Sequence, residues 1–359
     1  MKQIFFLFFI LIFLLTQGKA QNHLTAANTA NFIKDKVDSA FNKNDVPSIF
    51  VGVINDGKPI YYSTGFANPE INLRFDSATL FEIGSITKTY TAYVIQNLLD
   101  ENKIADTSSI LPYLPDSVQQ NKALEKITFL NLLNHTSGLP KLPGNMKLSM
   151  DDKSPYDHYT SSKLFDFLKN YSPVMNGKSN YSNLGMGLVG VLAERIAKKS
   201  YAVLLEENIF RPFKMIGGVD TFSREANKSQ GYFDKEKVPY WNMDVLAPAG
   251  GLKCTGKEMM TYLQYMATPK AAAAKKTIAE ILQPTVSVNA RVKICKAWHT
   301  LEEKDKPIIY WHNGGTYGFS TFAAFIKGQQ KAVIVVVNKF NQNSISDSLG
   351  IVIMKELIK

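Results

Sequence analysis

The chain has 359 residues, 45% of them apolar and 20% charged, which fits a folded protein with a sizeable core and excludes a disordered segment. Its formal charge is +10, and the basic residues are scattered among acidic ones, which argues against nucleic acid as a partner. Two cysteines, Cys254 and Cys295, exclude a disulfide-rich scaffold and leave one disulfide or two buried thiols open, and no HExxH or CxxC spacing supports a metal site.

The first element is a targeting segment. Met1-Lys2 gives a positive start, Ile4 to Leu15 is unbroken apolar sequence, and Gly18-Lys19-Ala20 supplies small residues. This pattern predicts a signal peptide over 1–20 and a mature chain over 21–359. The apolar run falls short of the ~20 residues a span needs, so no stable membrane span is expected after cleavage. A secreted protein is expected, periplasmic in the first instance and extracellular as the alternative. Loss of Lys2 and Lys19 lowers the charge to about +8.

A helical pattern runs from about Leu24 to Asn44, with Phe32, Val37 and Phe41 inward. Ser48 to Ile54 and Pro59 to Thr64 read as strands, joined by the hairpin signal Asn55-Asp56-Gly57. Phe81-Glu82-Ile83-Gly84 then leads into Ser85-Ile86-Thr87-Lys88, which opens a helix with Val94, Ile95, Leu98 and Leu99 as its apolar stripe. Helical segments dominate from about 102 to 240: Lys126 to Leu133, Ser161 to Asn170, Leu184 to Lys198 and Ala202 to Ile209. The Leu139 to Asp157 stretch reads as a long functional rim, and Gly256 to Ala267 as another helix. Strand signals return at Ile308 to His312, Ser320 to Ile326 and Ala332 to Val337. A closing helix follows, carrying Ile345, Leu349, Val352 and Ile353 on one face. Strand-rich ends around a helical middle predict an α+β fold. One antiparallel sheet is built from both chain ends, about 21–80 and 290–359. Terminal helices flank it, and a helical part is inserted at about 102–240.

Ser85 and Lys88 stand three apart, so a hydroxyl and an amine share one helix face. If the amine is neutral it can take the hydroxyl proton, which makes acyl transfer through Ser85 possible. Tyr181-Ser182-Asn183 occupies a turn before a helix, where Ser182 or Asn183 also reads as an N-cap. His312-Asn313-Gly314-Gly315 ends a strand, and its glycines allow a ligand close to the backbone. Ala247-Pro248-Ala249-Gly250-Gly251-Leu252 is a further small-residue turn.

In this order the motifs resemble the serine β-lactamase and penicillin-binding-protein superfamily, in its class C-like branch. Asn134-His135-Thr136-Ser137-Gly138-Leu139-Pro140 is a further family-like string, and the likeness spans nearly the whole mature chain. No G-x-S-x-G elbow offers a competing hydrolase architecture. The resemblance implies Ser85 as nucleophile and Lys88 and Tyr181 as acid–base residues. It implies Asn183, His312, Asn313 and Gly314 as substrate-binding residues, and the Ser85 and Gly315 N–H groups as oxyanion hole. Either Lys88 or Tyr181 can be the general base. No cofactor and no metal is implied. His135 reads as a structural hydrogen-bonder, and His23, His158 and His299 as surface residues.

The implied activity is hydrolysis of β-lactam or D-alanyl-peptide amide bonds through a Ser85 acyl-enzyme, in a monomer acting on small or peptidoglycan-derived substrates. A carboxylesterase on the same fold, or a non-turnover penicillin-binding sensor, are the alternatives. His312 is the departure, because many β-lactamases carry lysine there. An exposed histidine would be positive only below about pH 6.5. His312 is therefore expected to read a substrate carboxylate in a pH-dependent way.

Overall fold

The computed structural model describes residues 26–147, 152–218 and 227–359. The segment read as a signal peptide, and His23, lie outside them. Among the described residues no helix is long and apolar enough to cross a membrane.

Strands β1 (Ser48–Asn55), β2 (Lys58–Asn68) and β3 (Leu73–Arg74) come from the N-terminal end. Three short pieces follow, β4 (Leu80–Glu82), β5 (Gly231–Phe233) and β6 (Glu236–Val238), and then β7 (Lys253–Thr255). The C-terminal end adds β8 (Val286–Ser287), β9 (Val292–Ile294), β10 (His299–Leu301), β11 (Ile309–Gly315), β12 (Ser320–Ile326) and β13 (Lys331–Val337). The main sheet has nine strands in the order β3-β2-β1-β13-β12-β11-β10-β9-β8. Both ends of the chain thus meet at its centre, where β1 pairs antiparallel with β13 from Ile49↔Val337 to Asn55↔Lys331.

Strand alternation explains the two layers around the sheet. Val333, Val335 and Val337 face the N-terminal helix Ala26–Lys43 and the C-terminal helix Asn343–Leu357, against Ile33, Val37, Ile353 and Met354. Ala332, Ile334 and Val336 face the other way, toward Tyr90, Met260 and Phe325. Every residue of Ala332–Val337 is fully buried, so a strand with no polar face is the expected signature of a sheet covered on both sides. Full burial of each valine side chain is worth about 1.5–3 kcal/mol.

The inserted part packs the Ser85 helix, Thr87–Glu101, against Asn183–Ala197. The β5–β6 hairpin interrupts the region that reads as helical. Cys254 and Cys295 are both buried and are not joined in a disulfide, which settles the open pairing. Of the inward positions read for the first helix, Val37 is buried while Phe32 and Phe41 are only partly so; Ile33 takes the deeper place.

Candidate active site

Ser85 lies in a single 3-10 turn, Gly84–Ile86, that runs into the helix Thr87–Glu101. Gly84 has φ +53°, a conformation that favours glycine and turns the chain sharply from β4 into the helix. Between Thr79 and Gln96, Ser85 is the one residue that is not buried. Its hydroxyl is therefore presented to solvent from a rigid, packed element.

Lys88 lies beneath it, 0% exposed. Its Nζ is 3.0 Å from Ser85 Oγ, 2.8 Å from Asn183 Oδ1 and 2.6 Å from the Ala249 carbonyl oxygen. Burial holds the amine well below the usual lysine range, and the charge of Lys141 pushes the same way. A neutral amine has two N–H groups and one lone pair. Asn183 Oδ1 and the Ala249 carbonyl can only accept, so the two N–H groups go to them. The lone pair is then left for the Ser85 hydroxyl. A neutral Lys88 is thus placed to accept the Ser85 proton, whereas an ammonium would donate to all three oxygens.

Tyr181 flanks the pair. Lys88 Nζ is 4.7 Å from its ring centroid. Burial raises the phenol above its ordinary range, and the Ser85 side chain only partly opposes that. Burial favours the uncharged form of each group, amine and phenol. Lys88 and Tyr181 are the two candidates for general base that the sequence offers, and both lie beside Ser85.

The turn carrying Tyr181 and Asn183 is fixed from several sides. Ser182 caps the following helix by accepting from Gly185 N–H at 2.8 Å, and it donates to the Pro140 carbonyl at 2.7 Å. The Lys141 carbonyl accepts from Asn183 N–H at 3.0 Å and Leu184 N–H at 3.2 Å. His135 accepts from Ser182 N–H at Nδ1, 3.3 Å, and its ring packs 4.7 Å from that of Tyr181. His135 is thus the structural hydrogen-bonder that the sequence implies. Burial pushes it down to about 3, so it stays neutral.

The strand β11 brings the remaining residues to the opposite wall. Gly314 abuts Ile83 so closely that a Cβ would sit 2.1 Å from the Ile83 carbonyl oxygen and 2.4 Å from Thr321 Oγ1. The Gly314 carbonyl accepts from Asn343 Nδ2 at 2.9 Å. No described peptide bond is cis, so the Gly315 N–H of that peptide points the other way, to the Gly84 side. A Cβ on Gly84 would lie 2.7 Å from Gly315 N, which places this N–H beside the start of the Ser85 helix. Gly314→Ala is expected to cost about 1–3 kcal/mol, because the Ile83 carbonyl is backbone and cannot swing aside. Chemical denaturation measures it, and a loss within a few tenths of a kcal/mol would contradict this packing.

Three expectations change. His312 is 1% exposed, with Nδ1 donating to the Asn313 carbonyl at 2.5 Å. Burial first, then the neighbouring His299 and Lys88, pushes it well below the usual histidine range. It is neutral at physiological pH, so the pH-dependent positive charge expected of it is absent. The Asn313 side chain points away from Ser85 and donates to Asp347 Oδ2 on the C-terminal helix at 2.7 Å. Only its backbone can serve a ligand. His299, read as a surface residue, lies partly buried on β10, with its ring 4.7 Å from Trp311 and 5.2 Å from His312. His158 is exposed as expected. The sequence reading passed over Glu82, which lies in a quoted string and contacts Thr316 beside Gly315; its burial was the missing signal. Among the described residues no group of histidine, cysteine, aspartate or glutamate side chains is arranged to hold a metal.

The family model for beta-lactamase matches residues 29–355. The chain belongs to the β-lactamase family. It is 24% identical over 353 residues to a β-lactamase of Providencia stuartii, covering 88% of each chain. It is 27% identical over 333 residues to a β-lactamase of Escherichia coli K12, covering 82% of this chain and 84% of that one. The crystal structure of a class C β-lactamase from Rhodobacter sphaeroides superposes with a TM-score of 0.80 at 19% identity, covering 91% of this chain and 99% of the other. The β-lactamase-like architecture thus carries the serine, amine, phenol and backbone N–H groups into one cleft.

Proposed function

We propose that this member of the family is a secreted serine hydrolase that works through a Ser85 acyl-enzyme. The observation that carries the reading is the fully buried Lys88 amine, its Nζ 3.0 Å from Ser85 Oγ and its charged form disfavoured by that burial. Ser85 Oγ attacks the carbonyl carbon as its proton passes to Lys88 Nζ. The carbonyl oxygen becomes an oxyanion and accepts from the Ser85 and Gly315 N–H groups, helped by the positive end of the helix. Tyr181 gives its proton to the leaving nitrogen or oxygen and takes back the proton that Lys88 Nζ holds beside it. A water then repeats the sequence on the acyl-enzyme and releases the acid.

β-Lactams and D-alanyl peptides are the first substrates to test, on the strength of the family and of the signal-like segment 1–20. An ester or other uncharged acyl donor is a second reading, favoured by one observation: His312 offers no positive charge to a substrate carboxylate. Intact-mass analysis separates them. Penicillin opens without losing a fragment, so the wild-type chain is expected to gain the full mass of the drug, or to consume it. A p-nitrophenyl ester instead adds only its acyl group and releases nitrophenol. Ser85→Ala is expected to show neither event. Adducts or turnover that survive in Ser85→Ala would remove Ser85 from the mechanism.

A further inference from the structure

Glu82 is a buried carboxylate that the mechanism above does not use. It is 2% exposed and stands at the end of β4, three residues before Ser85. Its Oε2 accepts from the Thr316 hydroxyl at 2.6 Å, and its Oε1 accepts from Trp241 N–H at 2.5 Å. Thr316 immediately follows Gly315. Its hydroxyl also accepts from Gly318 N–H at 3.2 Å, and its own N–H donates to the Phe319 carbonyl at 2.9 Å. Lys253 lies directly across from Glu82 on β7 and donates to the Trp241 carbonyl at 2.7 Å. The carboxylate therefore ties the strand that feeds Ser85 to the turn that carries Gly315.

We propose that Glu82, acting through the Thr316 hydroxyl, is the positioning residue of the oxyanion hole, a role that rests on the acyl-enzyme reading above. The two N–H donors come from chain segments far apart in sequence, and their separation must be held to a fraction of an ångström to favour the transition state. Packing supplies part of that, through Gly314 on Ile83 and through the Thr321 hydroxyl, which donates to the Ile83 carbonyl at 3.0 Å. Those contacts hold the strand up to Gly314. Beyond it the chain turns, Gly315 is exposed and has no side chain, and Thr316 is the next anchor. The Glu82–Thr316 bond closes the loop from Ser85 back to Gly315 through only a few residues on either side. Short covalent paths transmit little slack, so loss of this bond reaches the hole directly.

The test uses the mature chain with Thr316→Val, Thr316→Ser and Glu82→Gln. A p-nitrophenyl ester serves as substrate, and fluorophosphonate labelling of Ser85 counts active sites. Thr316→Val keeps the shape and removes the donor. It is expected to lower kcat per titrated site by about 10–100-fold, below or at the edge of what full loss of one oxyanion donor costs. KM should stay within about threefold, because the hole contacts charge that develops only in the transition state. Thr316→Ser is expected to restore kcat to within about threefold of wild type. Glu82→Gln, which keeps an acceptor for Trp241 N–H, should fall between the two. A merely structural bond would lower the melting temperature and the number of titrated sites, leaving kcat per site unchanged. Unchanged kcat per site in Thr316→Val, with wild type labelled normally, overturns this proposal alone. A wild type that neither labels nor turns over ester removes the acyl-enzyme reading, and the proposal with it.

Discussion

Lys88→Met is expected to abolish acylation and at the same time make the protein more stable. Removing a general base typically costs 10²–10⁴ in rate, and here the base is also a hydrogen-bond partner of the nucleophile, so a loss of at least about 10³-fold is expected. The stability gain comes from the same burial that makes the amine a base. Lys88 is fully enclosed, and its charged form is disfavoured in the fold but not in the unfolded chain. Replacing buried charged groups, measured for ion pairs and triads, by apolar residues of similar volume is neutral or stabilising by about 1–4 kcal/mol. The Asn183 and Ala249 oxygens lose their donor, which subtracts from that gain, so about 1–2 kcal/mol at pH 7 is expected.

The pH dependence gives this prediction a second handle. A depressed lysine means that the unfolded chain binds a proton the folded chain refuses. Wild-type stability from this group therefore rises with pH until the unfolded lysine itself titrates, near 10.4. Lys88→Met lacks that term. The advantage of the variant should shrink as pH rises, by up to about 1.4 kcal/mol per unit where the folded lysine is neutral, and reverse by pH 9. Urea denaturation at pH 7 and pH 9 measures both. A variant less stable at pH 7, or an advantage that does not narrow by pH 9, would mean that Lys88 is charged in the fold.

How much of this was legible beforehand depended on whether the signal was periodic. The central sheet was readable because Ile49 to Ile54, after Ser48, and Ala332 to Val337 carry no polar side chain, and such runs must be covered on both faces. Ser85 and Lys88 were readable because helical spacing brings residues three apart together without tertiary contacts. The direction of the Lys88 and Tyr181 pKa shifts was not, because it depends on burial of both groups, and burial belongs to the whole fold. Asn313 was legible in principle: on a strand His312 and Asn313 alternate, so both side chains could not face Ser85. His299 was not, since β10 is only three residues long and carries no alternation that would mark it. It is drawn inward because it pairs with Trp311 in the sheet register, and that pairing is visible only once β10 and β11 are placed together.

The same neutrality that removes His312 as a charge reader predicts an acid-sensitive fold. His135 is held at about 3, His299 at about 4 and His312 well below its ordinary range, against ~6.5 in the unfolded chain. Below pH 6.5 the unfolded chain takes up protons that the folded chain refuses. The contribution of these histidines is thus complete above about pH 6.5 and is lost as pH falls. Each costs up to about 1.4 kcal/mol per pH unit, so the three remove up to about 6 kcal/mol between pH 6.5 and pH 5, a large share of the ~5–15 kcal/mol typical of a folded domain. Glu82 and Asp347, both raised by burial, act with the opposite sign, so single-residue comparisons are needed to isolate the histidines. His312→Gln is expected to recover about a third of the histidine contribution, read by denaturation at pH 7, 6 and 5. Equal slopes for variant and wild type would show that His312 is protonated within the fold. Activity carries the matching test. The preference between an anionic and a neutral ester should stay flat from about pH 5 to about pH 8, because the residue that would titrate in that window is already neutral. A step near 6.5 in that preference would restore His312 as an exposed, titrating contact with the substrate.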